Sequence, residues 1–236
     1  MIQGQSVLAV VPARGGSKGV KEKNLTVVGD KTLIEHVAHV IRACAWIDAA
    51  VVSTDYDSIK EEARRAGLEV PFTRPGSLSG DRVPDIDVLR HAVTESETYY
   101  GRSFDIVIML QPTSPLRQPR HVTCCVKKMI DARTDSCITL SETDPKHHPL
   151  KQLCLDGDRV AYYDPRGEKI IARQMLAPVY HRNGICYAFT RACLMEKGKL
   201  ITDNSSAVVT DDFTVNIDTL YDVRLAELYL RGVFQG

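Results

Sequence analysis

The chain has 236 residues, and its 30 lysines and arginines are balanced by 30 aspartates and glutamates, which gives a formal net charge of zero. This length suits one large domain with an ample core, and the charge balance argues against a general binder of nucleic acid or membrane surfaces, which needs a basic excess. No apolar run approaches the roughly 18 residues of a membrane-spanning helix, and the first residues lack the pattern of a signal peptide. The seven cysteines form no C-x-x-C pair, so we expect reduced thiols in a cytoplasmic protein.

Strand and helix patterns alternate over the first 141 residues. In the segment Thr32–Ala45, for example, Leu33, Val37, Val40 and Cys44 recur with the spacing of a helix. The predicted strands are Val7–Ala13, Ala49–Ser53, Glu69–Phe72, Asp105–Leu110 and Ser136–Ser141, and the predicted helices are Thr32–Ala45, Asp57–Ala66, Asp85–Tyr99 and Pro119–Ala132. This β-α-β-α succession predicts an α/β fold, with a mostly parallel sheet that is wrapped by helices and binds ligands at the carboxyl ends of its strands.

The alternation changes after about residue 143. Asp156-Gly157-Asp158 lies between two strand-like segments, Gln152–Leu155 and Arg159–Tyr163, which is typical of a hairpin. The later predicted elements are a strand at Gly184–Phe189, a helix at Arg191–Lys197, a strand at Phe213–Ile217 and a helix at Thr219–Leu230. No repeat or linker separates two domains, so we interpret residues 1–236 as one domain in which 144–180 forms an inserted arm or flap.

A glycine-rich basic loop, residues 14–24 (RGGSKGVKEKN), comes two residues after the apolar run 7–11. Its glycines allow backbone N–H groups to approach a ligand closely, and four of its side chains are cations against one glutamate. A phosphate chain matches this charge, so the loop predicts a nucleotide enzyme, although it has neither the Walker A nor the G-x-G-x-x-G spacing. The alternative is a solvated basic turn without a ligand.

Residues 111–117 (QPTSPLR) follow the predicted central strand. Two prolines make this turn rigid, which lowers the entropy that its polar groups lose on binding a ligand. We therefore expect the sheet's carboxyl edge, near the glycine-rich loop, to present Gln111, Thr113, Ser114 and Arg117. The alternative is an ordinary strand-to-helix connection in which a hydroxyl group caps the helix.

Asn216-Ile217-Asp218 closes a predicted strand just before the last predicted helix. Because side chains alternate along a strand, Asn216 and Asp218 lie on one face, where two oxygen-bearing side chains can point at one ion. Oxygen ligands favour Mg²⁺, which commonly bridges nucleotide phosphates. The alternative is that Asp218 only N-caps the last helix, with Asp222 in its first turns.

Taken in chain order, these motifs resemble those of the acylneuraminate cytidylyltransferase family, which activates sialic acid and related nine-carbon sugar acids as CMP conjugates. The resemblance rests on RGGSKGxxxKN, LQPTSPLR and NIDT, with Arg173-Gln174 and the segment 183–187 (NGICY) between the last two, and it extends from about Val7 to Glu227. It implies a three-layer α/β/α nucleotidyltransferase domain with a small dimerisation arm, and a homodimer. It also implies Mg²⁺ as cofactor, and CTP and a sugar acid as the substrates.

The resemblance further implies roles for individual residues. Nucleotide binding is implied for Arg14, Gly15, Gly16, Ser17, Lys18, Asn24, Arg74 and Asp81. Sugar binding is implied for Gln111, Thr113, Ser114, Lys151, Arg173, Asn183 and Tyr187. Catalysis is implied for Arg14, Lys23 and Asp218, and metal binding for Asp218 and Asn216. No histidine is well placed as a general base, so metal activation of the attacking hydroxyl group is the simpler interpretation.

Several positions depart from the family pattern. Asn216 stands where an aspartate is usual, which leaves the implied metal site with one negative charge fewer. Lys21 replaces a proline of the first loop, and Tyr56 replaces a small or acidic residue. The pair His181-Arg182 and the segment 81–84 also differ, and they bear on which sugar is bound.

Two alternatives to this interpretation stay open. One is a cytidylyltransferase for the eight-carbon acid KDO or for another sugar, and the other is a catalytically silent homologue that binds nucleotide. The sequence also leaves open which nine-carbon acid is bound, because sialic acid, KDN, legionaminic acid and pseudaminic acid differ by single groups that the shape of a pocket distinguishes.

Overall fold

A computed structural model describes residues 1–16 and 19–233. The chain divides into two compact units. Unit 1 comprises Met1–Thr139, Asn183–Val208 and the chain from Asp212 onward, and unit 2 comprises Leu140–Arg182 and Val209–Asp211. No helix within the described ranges is long and apolar enough to cross a membrane.

Sixteen strands and α-helices organise the described chain. The strands are β1 (Val7–Pro12), β2 (Val27–Val28), β3 (Lys31–Thr32), β4 (Ala49–Ser53), β5 (Ile106–Met109), β6 (Ser136–Glu142), β7 (Leu153–Asp156), β8 (Arg159–Tyr162), β9 (Tyr180–Thr190) and β10 (Ser205–Val209). The α-helices are α1 (Leu33–Ala43), α2 (Asp57–Arg65), α3 (Asp85–Tyr100), α4 (Pro119–Ala132), α5 (Arg191–Met195) and α6 (Leu220–Leu230).

A six-stranded sheet with the order β10-β6-β9-β5-β1-β4 forms the centre of the fold. Strand β1 pairs in parallel with both β4 and β5, whereas β9 runs antiparallel to β5. The predicted α/β class with a mostly parallel sheet is therefore confirmed. The short strands β2 and β3 form a separate two-stranded hairpin, which the sequence did not reveal.

Helices cover both faces of the sheet, which makes the fold a three-layer α/β/α sandwich. Alternate residues of β1 (Val7, Ala9 and Val11) join one core cluster with apolar residues of α1, α2 and α4. Because side chains alternate along a strand, Leu8 and Val10 point to the opposite face. Helix α3, which contributes nothing to that cluster, contacts β1 and β4.

The register of the parallel strands brings three loops to one edge of the sheet. Pro12 lies beside Ser53, and Val10 lies beside Met109. The chain segments that follow β1, β4 and β5 therefore leave the sheet at the same end, because parallel strands share their direction. This edge is where an α/β sheet of this kind binds ligands.

Two predicted strands are wrong. In Glu69–Phe72 only Glu69 forms a bridge, to Val51, and Pro71 within the segment has no N–H group to extend the ladder. The segment Phe213–Ile217 has no strand either. Val215 and Ile217 are buried outside the sheet, in a cluster with Val28, Leu33, Leu116 and Ala226, whereas Phe213 is exposed.

Unit 2 contains the β7–β8 hairpin that the sequence predicted. Asp156 pairs with Arg159 across a tight turn in which Gly157 has a φ of 58°, a conformation that glycine adopts at little cost. All eight residues of the two strands are exposed. The predicted arm, 144–180, falls within this unit, and its interpretation as an inserted dimerisation arm on a single domain stays a prediction.

Candidate active site

Arg14 and Asn24 fix the two ends of the glycine-rich loop. The Asn24 side chain is buried, and its Nδ2 donates to the Arg14 carbonyl oxygen at 2.9 Å. The Arg14 guanidinium donates to Asp81 Oδ1 at 2.5 Å. Ser17 and Lys18, both predicted to bind the nucleotide, lie outside the described residues.

The first glycine of the loop is required by packing. A Cβ atom at Gly15 would lie 2.7 Å from Cδ2 of Tyr56, and the Gly15 N–H group donates to Asp55 Oδ1 at 2.9 Å. This N–H group is therefore engaged within the protein, and its predicted role towards a nucleotide stays a prediction. Gly16 is exposed, and an added Cβ there meets nothing within 4 Å.

The other end of the loop lies against the segment that ends at Asp218. Lys23 Nζ donates to Asp218 Oδ1 at 2.9 Å. A Cβ atom at Gly19 would lie 2.3 Å from the Asp218 carbonyl oxygen, so only glycine permits this close approach. The contact joins two motifs that are almost 200 residues apart in the chain.

Arg74 supplies a fixed positive charge beside β4. Its side chain is buried, and it donates to the hydroxyl group of Ser53 at 3.0 Å and to the Ser53 carbonyl oxygen at 2.5 Å. Burial lowers the pKa of Arg74 to about 10, against the opposing effect of Asp55. The guanidinium therefore remains charged at neutral pH.

The turn after β5 is connected to the Asp218 segment through the backbone. The Ile217 N–H group donates to the Thr113 carbonyl oxygen at 2.8 Å. Helix α4 has Gln118 as its N-cap residue, and the Ser114 hydroxyl instead contacts the Asn183 carbonyl oxygen at 3.5 Å. The hydroxyl groups of this turn are therefore free of the capping role that was the alternative interpretation.

Asp218 is not the N-cap of the last helix. That position belongs to Thr219, which forms a capping box with Asp222. Asp222 also accepts the N–H group of Asp218 at 3.0 Å, which orients the backbone while the Asp218 carboxylate stays 70% exposed. Among the described residues, no group of three or more His, Cys, Asp or Glu side chains is arranged to hold a metal ion.

One cavity of about 550 Å³ unites these segments. The predicted site residues that line it are Arg14, Lys23, Asn24, Arg74, Asp81, Gln111, Thr113, Asn216 and Asp218. Gly19 and Asp85 line it too, and neither was predicted to take part. Gly19 belongs to the recognised loop, but the sequence contains no signal that places Asp85, the first residue of α3, beside Arg74.

A family model described as cytidylyltransferase matches residues 8–211. The chain belongs to the cytidylyltransferase family. It is thus a nucleotidyltransferase enzyme.

Curated relatives match this cytidylyltransferase over most of its length. Post-translational flagellin modification protein B of Campylobacter coli is 27% identical, over 95% of each chain. CMP-N,N'-diacetyllegionaminic acid synthase of Legionella pneumophila is 28% identical, over 94% of each chain. An N-acylneuraminate cytidylyltransferase of Streptococcus agalactiae is 26% identical over 91% of this chain, which spans 51% of that relative.

A solved structure shares the fold of this cytidylyltransferase. CMP:2-keto-3-deoxy-manno-octonic acid synthetase complexed with CTP matches with a TM-score of 0.68 and 18% sequence identity, over 96% of this chain and 98% of that one. The likeness supports the α/β nucleotidyltransferase architecture described above.

The remaining predicted sugar-binding residues of the cytidylyltransferase lie outside the cavity lining. Asn183 and Tyr187 are buried on β9, where Asn183 Oδ1 accepts from the Thr139 hydroxyl at 2.8 Å and the Tyr187 hydroxyl accepts from the Gly184 N–H group at 3.1 Å. These contacts give both side chains a structural role.

Lys151 and Arg173 belong to unit 2. Lys151 ends a short 3₁₀ helix, Pro149–Lys151. Arg173 lines a cavity of about 300 Å³ within the unit, together with His148. Their predicted contact with the sugar stays a prediction.

Proposed function

We propose that this cytidylyltransferase transfers CMP from CTP to the anomeric hydroxyl group of a nine-carbon, sialic-acid-like sugar acid. The observation that carries the proposal is that one cavity collects residues of the basic loop, the turn after β5 and the segment 216–218. The names of two relatives that match over most of this chain, a CMP-N,N'-diacetyllegionaminic acid synthase and an N-acylneuraminate cytidylyltransferase, support this substrate class.

In the proposed reaction the anomeric oxygen attacks the α-phosphorus of CTP. The bond between that phosphorus and the bridging oxygen breaks, pyrophosphate leaves with the bond's electrons, and the hydroxyl proton is released. Such transfers are accelerated mainly by positioning and by neutralising charge. Arg14 and Lys23 are suited to the charge that develops on pyrophosphate, and Arg74 adds a buried cation near the nucleotide.

We also propose Mg²⁺ as the cofactor, held by Asp218 and by the side-chain oxygen of Asn216. Both residues line the cavity, but together they provide one carboxylate and one amide oxygen, so most ligands would have to be phosphate oxygens and water. That division is usual for Mg²⁺ bound with nucleotides. When bound, the ion would neutralise phosphate charge and orient the phosphate oxygens.

For the sugar acid, Gln111 and Thr113 provide polar groups in the cavity, and Ser114 is buried next to them. Pairing of the sugar carboxylate with Arg173, which offers a bidentate fit, or with Lys151 stays a prediction from the sequence.

We further propose that the enzyme is a homodimer formed through unit 2. Leu153, Leu155 and Val160 of the hairpin are each more than half exposed, and Ile171 is 89% exposed. A two-stranded hairpin with apolar side chains in water is marginally stable by itself, and a second copy of the chain would cover these residues. A cytoplasmic location stays a prediction from the reduced cysteines.

The decisive experiment measures pyrophosphate release from CTP and Mg²⁺ with N-acetylneuraminic acid, KDN, legionaminic acid, pseudaminic acid or KDO, one at a time. ATP in place of CTP is the control for nucleotide selectivity. Release with one nine-carbon acid supports the proposal. Release with KDO alone favours the eight-carbon alternative, and silence with all five while CTP still raises Tm favours the catalytically silent homologue.

A further inference from the structure

Arg117 is a buried cation bonded to the backbone of Gln111, which lines the candidate active site. Its Nε donates to the Ile185 carbonyl oxygen at 2.5 Å, and its Nη2 donates to the carbonyl oxygens of Gln111 at 2.5 Å and Gly184 at 3.1 Å. Burial lowers the pKa of Arg117 to about 10, so it is charged at neutral pH. Within the described part of the chain, no carboxylate forms an ion pair with it.

Burying a cation without a carboxylate partner raises the free energy of the folded state. The hydrogen-bond acceptors of Arg117 offset this cost and indicate the role of the residue. The three carbonyl oxygens belong to two segments that are distant in sequence, the turn that begins at Gln111 and the segment 184–185 of β9. Arg117 therefore connects the backbones of the two segments through hydrogen bonds. Its planar guanidinium offers several donors in a fixed geometry, which a lysine ammonium group cannot reproduce.

The Gln111 turn and segment 184–185 of β9 lie close together at Gly184. This residue has a φ of 73°, and a Cβ atom there would lie 2.9 Å from both Gln111 Oε1 and Ser114 Oγ, and 3.4 Å from Asn216 Nδ2. Three polar side chains thus converge over one glycine. Two of them, Gln111 and Asn216, also line the cavity.

We infer that Arg117 is a positioning residue for the sugar acid. It sets the distance between the Gln111 turn and Gly184, and so the arrangement of the polar groups that converge there. Its charge also lies in a low-dielectric region, where it favours an anionic ligand more strongly than an exposed cation does. This inference rests on the proposed function.

The nucleotide side of the cavity has its own supports. Arg74 is held by Ser53, and Asn24 is held by the Arg14 carbonyl oxygen. None of these hydrogen bonds includes Arg117. A disturbance at Arg117 is therefore expected to act mainly on the sugar acid and to reach CTP only indirectly, through the hydrogen bond between the Ile217 N–H group and the Thr113 carbonyl oxygen.

The test is Arg117→Lys, with KM measured separately for the sugar acid that the wild type uses and for CTP. We expect KM for the sugar acid to rise about tenfold and KM for CTP to stay within about twofold. Arg191→Lys is the control for the same substitution at an arginine that does not line the cavity. Arg191 pairs with Glu97 at 2.8 Å, and its backbone N–H group donates to the Asp105 carbonyl oxygen, at the opposite end of β5 from Gln111.

A merely structural role gives a different result, because a smaller folded fraction lowers the apparent kcat without changing either KM. That result, or an equal rise of both KM values, overturns the inference. If Arg117→Lys does not fold, Gly184→Ala disturbs the same junction from the other side and is expected to give the same selective rise. A wild-type enzyme that is inactive with every sugar acid refutes the proposed function instead, so the two failures are distinguishable.

Discussion

Replacing Lys23 by methionine removes the charge of one proposed catalytic cation while nearly keeping the length of its side chain. Lys23 lies 2.9 Å from Asp218, and the Asp218 side chain is 70% exposed. Because solvent screens so exposed a pair, it contributes at most about 1 kcal/mol to the free energy of unfolding. In a protein of this size, the loss of that amount lowers Tm by about 2–4 °C.

The expected loss of activity is much larger. Negative charge develops on the departing pyrophosphate, and Lys23 lines the cavity proposed to bind it. Removing one preorganised donor from such a site lowers kcat by about 10²–10³-fold, which corresponds to about 2.7–4 kcal/mol. We therefore expect Lys23→Met to lower kcat/KM for CTP at least about a hundredfold, with only a small change in Tm.

Lys60→Met provides a matched control. Lys60 pairs with Asp57 at 2.8 Å, and the exposed fractions of their side chains, 15% and 88%, are close to the 21% and 70% of Lys23 and Asp218. Pyrophosphate release and thermal denaturation are measured for both variants. A loss of kcat/KM below about fivefold in Lys23→Met, or an equal loss in Lys60→Met, would refute the assignment of Lys23 to charge stabilisation.

Two further predictions follow from the geometry. Gly19→Ala places a Cβ atom 2.3 Å from the Asp218 carbonyl oxygen, so we expect KM for CTP to rise about tenfold or more. The control is Gly76→Ala, where the added Cβ meets nothing within 4 Å, and its KM should match that of the wild type. An unchanged KM in Gly19→Ala contradicts the close approach. The backbone N–H and hydroxyl groups of Ser6 both donate to Asp105 and hold its pKa below the ordinary value of 3.8. A carboxyl group whose pKa is lowered in the folded state stabilises that state at pH values above the unfolded pKa, and this contribution is lost as pH falls through the folded pKa. We therefore expect urea unfolding to show that Asp105→Asn is less stable than the wild type at pH 7, with a difference in the free energy of unfolding that shrinks below about pH 4. A difference in free energy that stays constant with pH contradicts this prediction.

The central strands could be predicted because each is a short buried apolar run. Strands β1, β4 and β5 match their predicted positions to within two residues at either end, and their parallel arrangement follows from the helices between them. The predicted strand at Phe213–Ile217 was wrong for a related reason. Val215 and Ile217 are buried and Asn216 between them is exposed, as in a strand, but they pack with Val28, Leu33, Leu116 and Ala226 rather than in a sheet. A sequence pattern records burial without recording what provides it.

The site was predictable where residues act through charge and less so where they act through packing. Arg14, Lys23 and Asp218 were identified from their motifs, and the cavity brings them together. The need for glycine at position 15 arises from the Tyr56 ring, a contact that no local pattern contains. Arg117 was noted as polar in its turn, but its burial against three carbonyl oxygens depends on β9, almost 70 residues later.

Two cations of the basic loop have anionic partners within the protein, Arg14 with Asp81 and Lys23 with Asp218. Arrival of a triphosphate is then an exchange of partners, in which each cation leaves a carboxylate for a phosphate oxygen. An exchange of this kind releases fewer bound counterions than the number of basic side chains implies. CTP affinity should accordingly depend on salt more weakly than in an open basic groove, and a small anion such as chloride, which cannot replace both carboxylates at once, should compete poorly for the site.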